Sequence, residues 1–398
     1  MLAGGWLLGK LAQRAGLPRL VGEMAWGIAL GPSLFGALAP AAAARLFPAT
    51  HPSDPRAIVV QIALLVFLFC VGARLDIVRL DRLGPRIIWT SLGGMLLPFA
   101  LGVAAVLLLP GVWRVHGSRG LTTALFVGTA LSISALPVIA RILADLKLLA
   151  TDIGLVVMSA ATIDDIAGWS IFAAILAAGG RGSGSPVVAV ATVVVLLVVA
   201  LAIGRTGALR RLLERGGSVV LGAAGLALAL GLSALTGTVG VGAVFGAFLA
   251  GVLLAAEPGT DPPAYRFLDR TTILVFAPLY FVSTGMQIDL RHDFVWTLAL
   301  LTIAVATVGK VVGACAGARL GGAPARDSLA IGFGLNARGA MGIILATTAL
   351  ENGMVTRPVF VAIVTMALVT SMISGPAMKS TLGRQGPLNS TAPDSIRR

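Results

Sequence analysis

The sequence predicts an all-α polytopic membrane protein of about 13 transmembrane helices, with inverted repeats and two broken helices. Three observations carry this prediction. Of 398 residues, 57% are hydrophobic and only 12% charged, where a soluble domain has about 25% charged residues. Mean hydropathy is +0.95. Apolar segments near the ~20 residues needed to cross a bilayer recur along the chain, and two of them are interrupted by helix-breaking residues.

Composition excludes other classes. A soluble core of this size leaves too much exterior to wet for so apolar a chain to be an ordinary cytosolic enzyme. The 50 glycines have no collagen period, and the 20 prolines are not clustered. Cys70 and Cys315 lie in separate apolar runs and form no disulfide framework, redox pair or zinc site. His51, His116 and His292 fall in loops with no metal-ligand spacing, and no cofactor is expected. The net charge of +13 has no compact basic domain behind it, so nucleic acid is not an expected partner.

Hydropathy places segments at 2–16, 18–38, 57–75, 84–109, 120–143, 152–179, 185–204, 216–235, 237–256, 271–288, 294–318, 328–350 and 357–382. The first is short for a full crossing. It lacks the charged start and small-residue cleavage site of a signal peptide. Residues 383–398 are polar and expected to form a disordered tail with no soluble domain after it. With the N-terminus outside, 21 of the 30 basic residues fall at inside loops and 7 at outside loops. This predicts a cytoplasmic C-terminus by the positive-inside rule.

Four ionisable residues lie deep in segments: Asp164, Asp165, Lys310 and Arg338. Each costs about 2.5–3.5 kcal/mol on insertion scales, and such residues mark ion or proton paths. Asp164 and Asp165 point about 100° apart on a helix, so they serve different roles. One can face a water-filled cavity and exchange a proton for a hard monovalent cation, with Thr162 one turn earlier adding a hydroxyl. The other can pair with a neighbouring helix. The competing reading makes both aspartates helix–helix pairing residues. Lys310 has no other charge near it in sequence, and Asp164 is its best candidate partner. Glu23 lies near a membrane end.

Two segments carry breakers. One, GTALSISALPVIARIL, has Thr129, Ser132 and Ser134 followed by Pro137; the other, IGFGLNARGAMGIILA, has four glycines around Asn336 and Arg338. Broken helices present freed carbonyls and N–H groups to ions, although small residues also serve plain helix packing. Segments 84–109, 120–143 and 152–179 read as plain helix, broken helix, aspartate helix. Segments 294–318, 328–350 and 357–382 read as lysine helix, broken helix, plain helix. Alternation gives the two triplets opposite topology, as an inverted repeat requires.

The chain resembles the monovalent cation–proton antiporters of the sodium/hydrogen exchanger superfamily, in the branch with Kef-type proteins. The resemblance rests on LPRLVGEMAWGIALGPSLFG, ALLVFLFCVGARLD, ALSISALPVIARILADL, ATIDDIAGW, GAVFGAFLAGVLL, APLYFVSTGMQIDL and GLNARGAMGIILA, in that order. It implies an inner-membrane homodimer in which a mobile core makes an elevator-like step against a scaffold, with 120–143 and 328–350 as crossed broken helices. The expected division is scaffold 1–75, first core half 84–179, linker and scaffold helices 185–288, second core half 294–382, and tail 383–398. By position, Asp165 looks like the principal carboxylate for Na⁺ and H⁺. Asp164 looks like the first aspartate of the pair, shared between Na⁺ and a salt bridge with Lys310. Ser132, Ser134 and broken-helix carbonyls complete the expected site, supported by Thr129, Pro137, Asn336 and Arg338. Two aspartates with that lysine imply electrogenic exchange. Kef-type potassium systems instead carry Gln-Asp and a nucleotide-binding domain. The expectation is therefore Na⁺ (or Li⁺) exchange, with K⁺/H⁺ exchange as the alternative and a channel further behind. Relatives also carry a glutamate after Arg-Gly where this chain has Ala340 and Gly342.

Overall fold

The computed structural model describes residues 1–47, 55–74, 84–113, 120–149, 151–179, 186–239, 241–255 and 263–382, and these are almost wholly helical. His51, His116, the loop arginines Arg79, Arg82, Arg114, Arg119 and Arg181, and the expected tail 383–398 lie outside the described residues.

The chain opens with α1 (Leu2–Arg14) and α2 (Arg19–Leu30), then two short helices, α3 (Phe35–Leu38) and α4 (Pro40–Leu46). Next comes α5 (Pro55–Ala73). A first triplet follows: α6 (Pro85–Leu108), the pair α7 (Gly120–Ser132) and α8 (Leu136–Asp145), and α9 (Asp152–Gly179). The middle of the chain holds α10 (Pro186–Thr206), α11 (Ala208–Glu214), α12 (Gly217–Thr238), α13 (Ala243–Leu253), α14 (Pro263–Thr271), a π-helical turn (Thr272–Phe276) and α15 (Ala277–Gly285). A second triplet closes it: α16 (Trp296–Leu320), the pair α17 (Ala325–Leu335) and α18 (Gly339–Glu351), and α19 (Arg357–Leu382).

Among the described residues seven helical stretches are long and apolar enough to cross a membrane, with Arg19–Leu38 counted as one, or nine if the bent pairs α10 with α11 and α17 with α18 are each one span. The expected segment 18–38 is shorter as a regular helix, because α2 stops at Leu30 and Pro32 follows Gly31. The segment 237–256 reduces to the eleven residues of α13. Both helix breaks are present. The first falls at 133–135, just before Pro137 rather than at it. Proline fits the first turn of α8 because its missing N–H has no intrahelical partner there. The second break falls at 336–338, with α17 and α18 bent by 43°.

Small residues set the helix packing. α6 and α16, the first helices of the two triplets, touch along glycines. A Cβ on Gly93 would lie 2.2 Å from the Gly313 carbonyl oxygen, and one on Gly313 would lie 2.1 Å from the Gly93 carbonyl oxygen. Such stripes let helix backbones approach where lipid provides no hydrophobic drive. The apolar side chains left exposed, among them Leu96, Val195, Val198 and Leu300, cover the outside of the bundle, as a lipid-facing surface requires.

Candidate ion site

The two breaks meet. The backbone N–H of Ala135 donates to the carbonyl oxygen of Ala337 at 2.7 Å. One unwound strand thus satisfies the other, which matters because an unpaired backbone group in the apolar interior costs several kcal/mol. The four deep ionisable residues gather around this crossing, and Asp164, Asp165, Lys310 and Arg338 are all fully buried.

α9 supplies the carboxylates. Lys310, on α16, reaches Asp164 Oδ2 at 2.6 Å and the Ser132 carbonyl oxygen at 2.5 Å. Ser134 donates to the same carboxylate at 3.1 Å and to the Leu335 carbonyl at 2.9 Å. Ser91 donates to Asp164 Oδ1 at 2.8 Å. Asp164 is therefore held on both oxygens.

Asp165 differs. Among the described residues, neither of its carboxylate oxygens has a hydrogen-bond partner. On the same helix, Gly168 faces Ile133 in the first break so closely that a Cβ would lie 2.2 Å from its side chain. One turn beyond Asp165, Trp169 stacks on Phe248 of α13 at 5.9 Å.

Arg338 is paired with oxygens of peptide and amide groups. Its Nε and Nη2 donate to the Leu131 carbonyl at 3.1 and 2.5 Å, Nη2 also to the Ala306 carbonyl at 2.8 Å, and Nη1 to Asn336 Oδ1 at 2.8 Å. Leu131 and Ser132 end α7, where carbonyls lack intrahelical donors and carry the negative end of the helix dipole. Two cations, Lys310 and Arg338, thus cap one half-helix.

The remaining expected residues are placed as follows. Thr129 and Thr162 donate back along their own helices, to Leu125 and Met158 carbonyls. Ser132 donates to the Thr129 carbonyl, so its carbonyl, not its hydroxyl, reaches Lys310. Pro137 enters through the backbone at the start of α8. Ser91 was missed, because segment 84–109 reads as plain helix; a single serine among apolar residues carries no sequence signal. Among the described residues no group of three or more His, Cys, Asp or Glu side chains gathers. A cation here would be met by one or two carboxylates with hydroxyl and carbonyl oxygens.

A cavity of about 310 Å³ opens between the two triplets and the rest of the bundle. α8, α18 and α19 line it on one side through Val138, Ala340 and Ser371, and α2, α5 and α15 on the other through Glu23, Val71 and Phe281. It therefore reaches the second break, where the Gly339 N–H donates to Ser371 Oγ at 2.9 Å.

Paired broken helices crossing at a buried charge cluster, with a cavity beside one break, are the architecture of secondary transporters. The chain belongs to the family described as sodium/hydrogen exchanger, transmembrane, whose model matches residues 2–383. It is a family of transporters, not enzymes. The chain is 34% identical over 90% of its length to cation/H(+) antiporter 19 of Arabidopsis thaliana, and it spans 46% of that relative. It thus spans about half the length of the plant relatives it matches. It is 29% identical to Na(+)/H(+) antiporter NhaS4 of Synechocystis, covering 93% of this chain and 92% of that one. The sodium proton antiporter MjNhaP1 of Methanocaldococcus jannaschii shares the fold, with a TM-score of 0.57 over 97% of each chain at 17% identity.

Proposed function

We propose that this chain is a secondary active antiporter exchanging Na⁺ or Li⁺ for H⁺, with Asp165 binding cation and proton alternately. The observation that carries this reading is the contrast between adjacent carboxylates. Asp164 is saturated by Lys310, Ser91 and Ser134, while the fully buried Asp165 keeps both oxygens unpartnered. A buried carboxylate without a partner is stable only when a proton or a cation neutralises it.

Charge arithmetic sets the coupling. With both aspartates ionised, Asp164, Asp165, Lys310 and Arg338 sum to zero. One Na⁺ or one H⁺ on Asp165 brings that total to +1 in either case. Exchange at Asp165 alone is therefore electroneutral, and electrogenic exchange needs a second titrating group. Lys310 is that group in this reading: cation binding draws on Asp164, loosens the ion pair and releases the Lys310 proton. Ser134 and the break carbonyls complete the cation's shell, with Thr162 one turn from Asp165.

The transport core in this reading comprises α6–α9 and α16–α19, and the scaffold comprises the other helices, paired with a second copy in a homodimer. The cavity between them supports an elevator-like step, since it opens the core toward one face. Lys and Arg placement supports an outside N-terminus in a cell membrane. A K⁺/H⁺ exchanger is the second reading, favoured by a relative named K(+)/H(+) antiporter 1 in Saccharomyces cerevisiae, 27% identical over 90% of this chain.

The test is proton movement in proteoliposomes on addition of Na⁺, Li⁺ or K⁺. Asp165→Asn abolishes it for every cation; full exchange by that variant overturns the assignment. A response to K⁺ but not Na⁺ selects the second reading, and conduction without saturation or counter-transport selects a channel.

A further inference from the structure

We propose that Glu23 forms a cation-concentrating site in the wall of the cavity, which the transported cation occupies before it reaches Asp165. The proposal rests on the exchange reading for its cargo, and on the cavity for its geometry.

Glu23 is 3% exposed, yet it borders the cavity, opposite Val138 beyond the first break and Ala340 beyond the second. No use of it follows from the exchange chemistry above. A buried carboxylate needs compensation, and that of Glu23 is incomplete. Its ion-pair partner, Arg19, stands one turn earlier on α2 at 3.7 Å, beyond hydrogen-bond reach. Among the described residues, Arg19 Nε and Nη2 have no hydrogen-bond partner. Two opposite charges thus lie side by side on a cavity wall without closing on each other.

The neighbouring charges leave this pair as the adjustable one. Arg141 is committed to Asp145 at 2.9 Å, at an exposed position on α8. Arg74, on the rim at the end of α5, has partners of its own. Arg19 is 19% exposed and Glu23 3%, so Glu23 is the deeper charge of its pair. A cation passing Arg19 meets a carboxylate already desolvated on its protein side, and Arg19 needs only to turn toward the cavity mouth to release it. The close fit of α1 keeps the carboxylate in place, since a Cβ on Gly9 would lie 3.3 Å from Glu23 Oε1. The site selects charge sign, since a carboxylate offers nothing to an anionic ligand.

The test uses the full chain in phosphatidylethanolamine–phosphatidylglycerol proteoliposomes, with NaCl, LiCl and KCl as probes. Glu23→Gln keeps the shape and removes the charge. It raises the apparent KM for cation on the cavity face several-fold, and the loss falls mainly on KM. Arg19→Gln lowers the same KM, and Glu23→Asp restores most of the wild-type value. Glu23→Gln within twofold of wild type, or Glu23→Asp as impaired as Glu23→Gln, overturns the site. Equilibrium cation binding to detergent-solubilised protein gives an arm independent of exchange. Asp165→Asn retains a weak cation site that the double variant with Glu23→Gln loses; equal binding by the two overturns the proposal. Wild-type protein that binds cation at Glu23 but moves no protons overturns the exchange reading alone.

Discussion

Lys310 and Asp164, 146 residues apart in the chain, meet as a fully buried ion pair with Nζ and Oδ2 2.6 Å apart. Removing one partner of such a pair leaves an uncompensated charge and costs about 3–5 kcal/mol. Lys310→Gln therefore lowers the melting temperature in detergent, and Asp164→Asn in the same chain recovers part of the loss. In the proposed exchange reading, Lys310→Gln also removes the second titrating group. That reading expects solid-supported membrane currents in wild type, which fall in the variant to those of electroneutral exchange while cation-dependent proton movement persists. Unchanged currents would sink the coupling role.

Ser91 is the third ligand of Asp164 and holds the oxygen that Lys310 does not touch. Ser91→Ala strands that oxygen in the interior. Loss of one hydrogen bond to a buried charged group costs about 1.5–3 kcal/mol. The expected readouts are a lower unfolding midpoint and, in the proposed exchange reading, a changed apparent cation affinity, because Asp164 becomes freer to join the cation. Ser91→Thr keeps the hydroxyl and restores both.

Arg338 satisfies carbonyls on α7 and α16 at once through a planar fork. Lysine has one nitrogen where arginine has three, so it cannot reach Leu131, Ala306 and Asn336 together. Arg338→Lys is expected to destabilise the protein by about 2 kcal/mol, through two weakened charge-assisted bonds. Thermal unfolding in detergent measures this. A melting temperature equal to wild type would show that the fork is dispensable.

Gly313 lies against the Gly93 carbonyl, with no room for a side chain. Gly313→Val forces α6 and α16 apart and costs at least the ~1–3 kcal/mol of an overpacked core. Because this contact joins the first helices of the two triplets, the loss appears as a fall in both folded yield and melting temperature. Gly231, with open space around it, provides the comparison: Gly231→Ala leaves both nearly unchanged.

Much of this was legible in the sequence, and the reason is energetic. An ammonium in the middle of an apolar segment needs a carboxylate, and few deep carboxylates exist, so Lys310 points to Asp164 across the whole chain. Composition and segment length likewise betray an all-helical membrane bundle. Three things left no trace. The meeting of Ala135 and Ala337 is a backbone bond, and any residue but proline can donate it. Arg338 finds carbonyls where a reader of charges looks for an acid. Glu23 appeared to sit near a membrane end, and only packing by α1 and the cavity on its other side make it an interior group. Helix lengths were legible to a few residues, except where Gly31–Pro32 stops α2 early and where segment 237–256 shortens to α13.

The Ala135–Ala337 bond has a mechanical consequence. It splices two segments more than 200 residues apart into one continuous scaffold for the ligands, with Arg338 pinned across it. Such a joint transmits push and pull between its halves without reshaping either. In the proposed exchange cycle, a cargo ion held there would travel inside a fixed shell, and the cycle would change only which side of the membrane that shell faces.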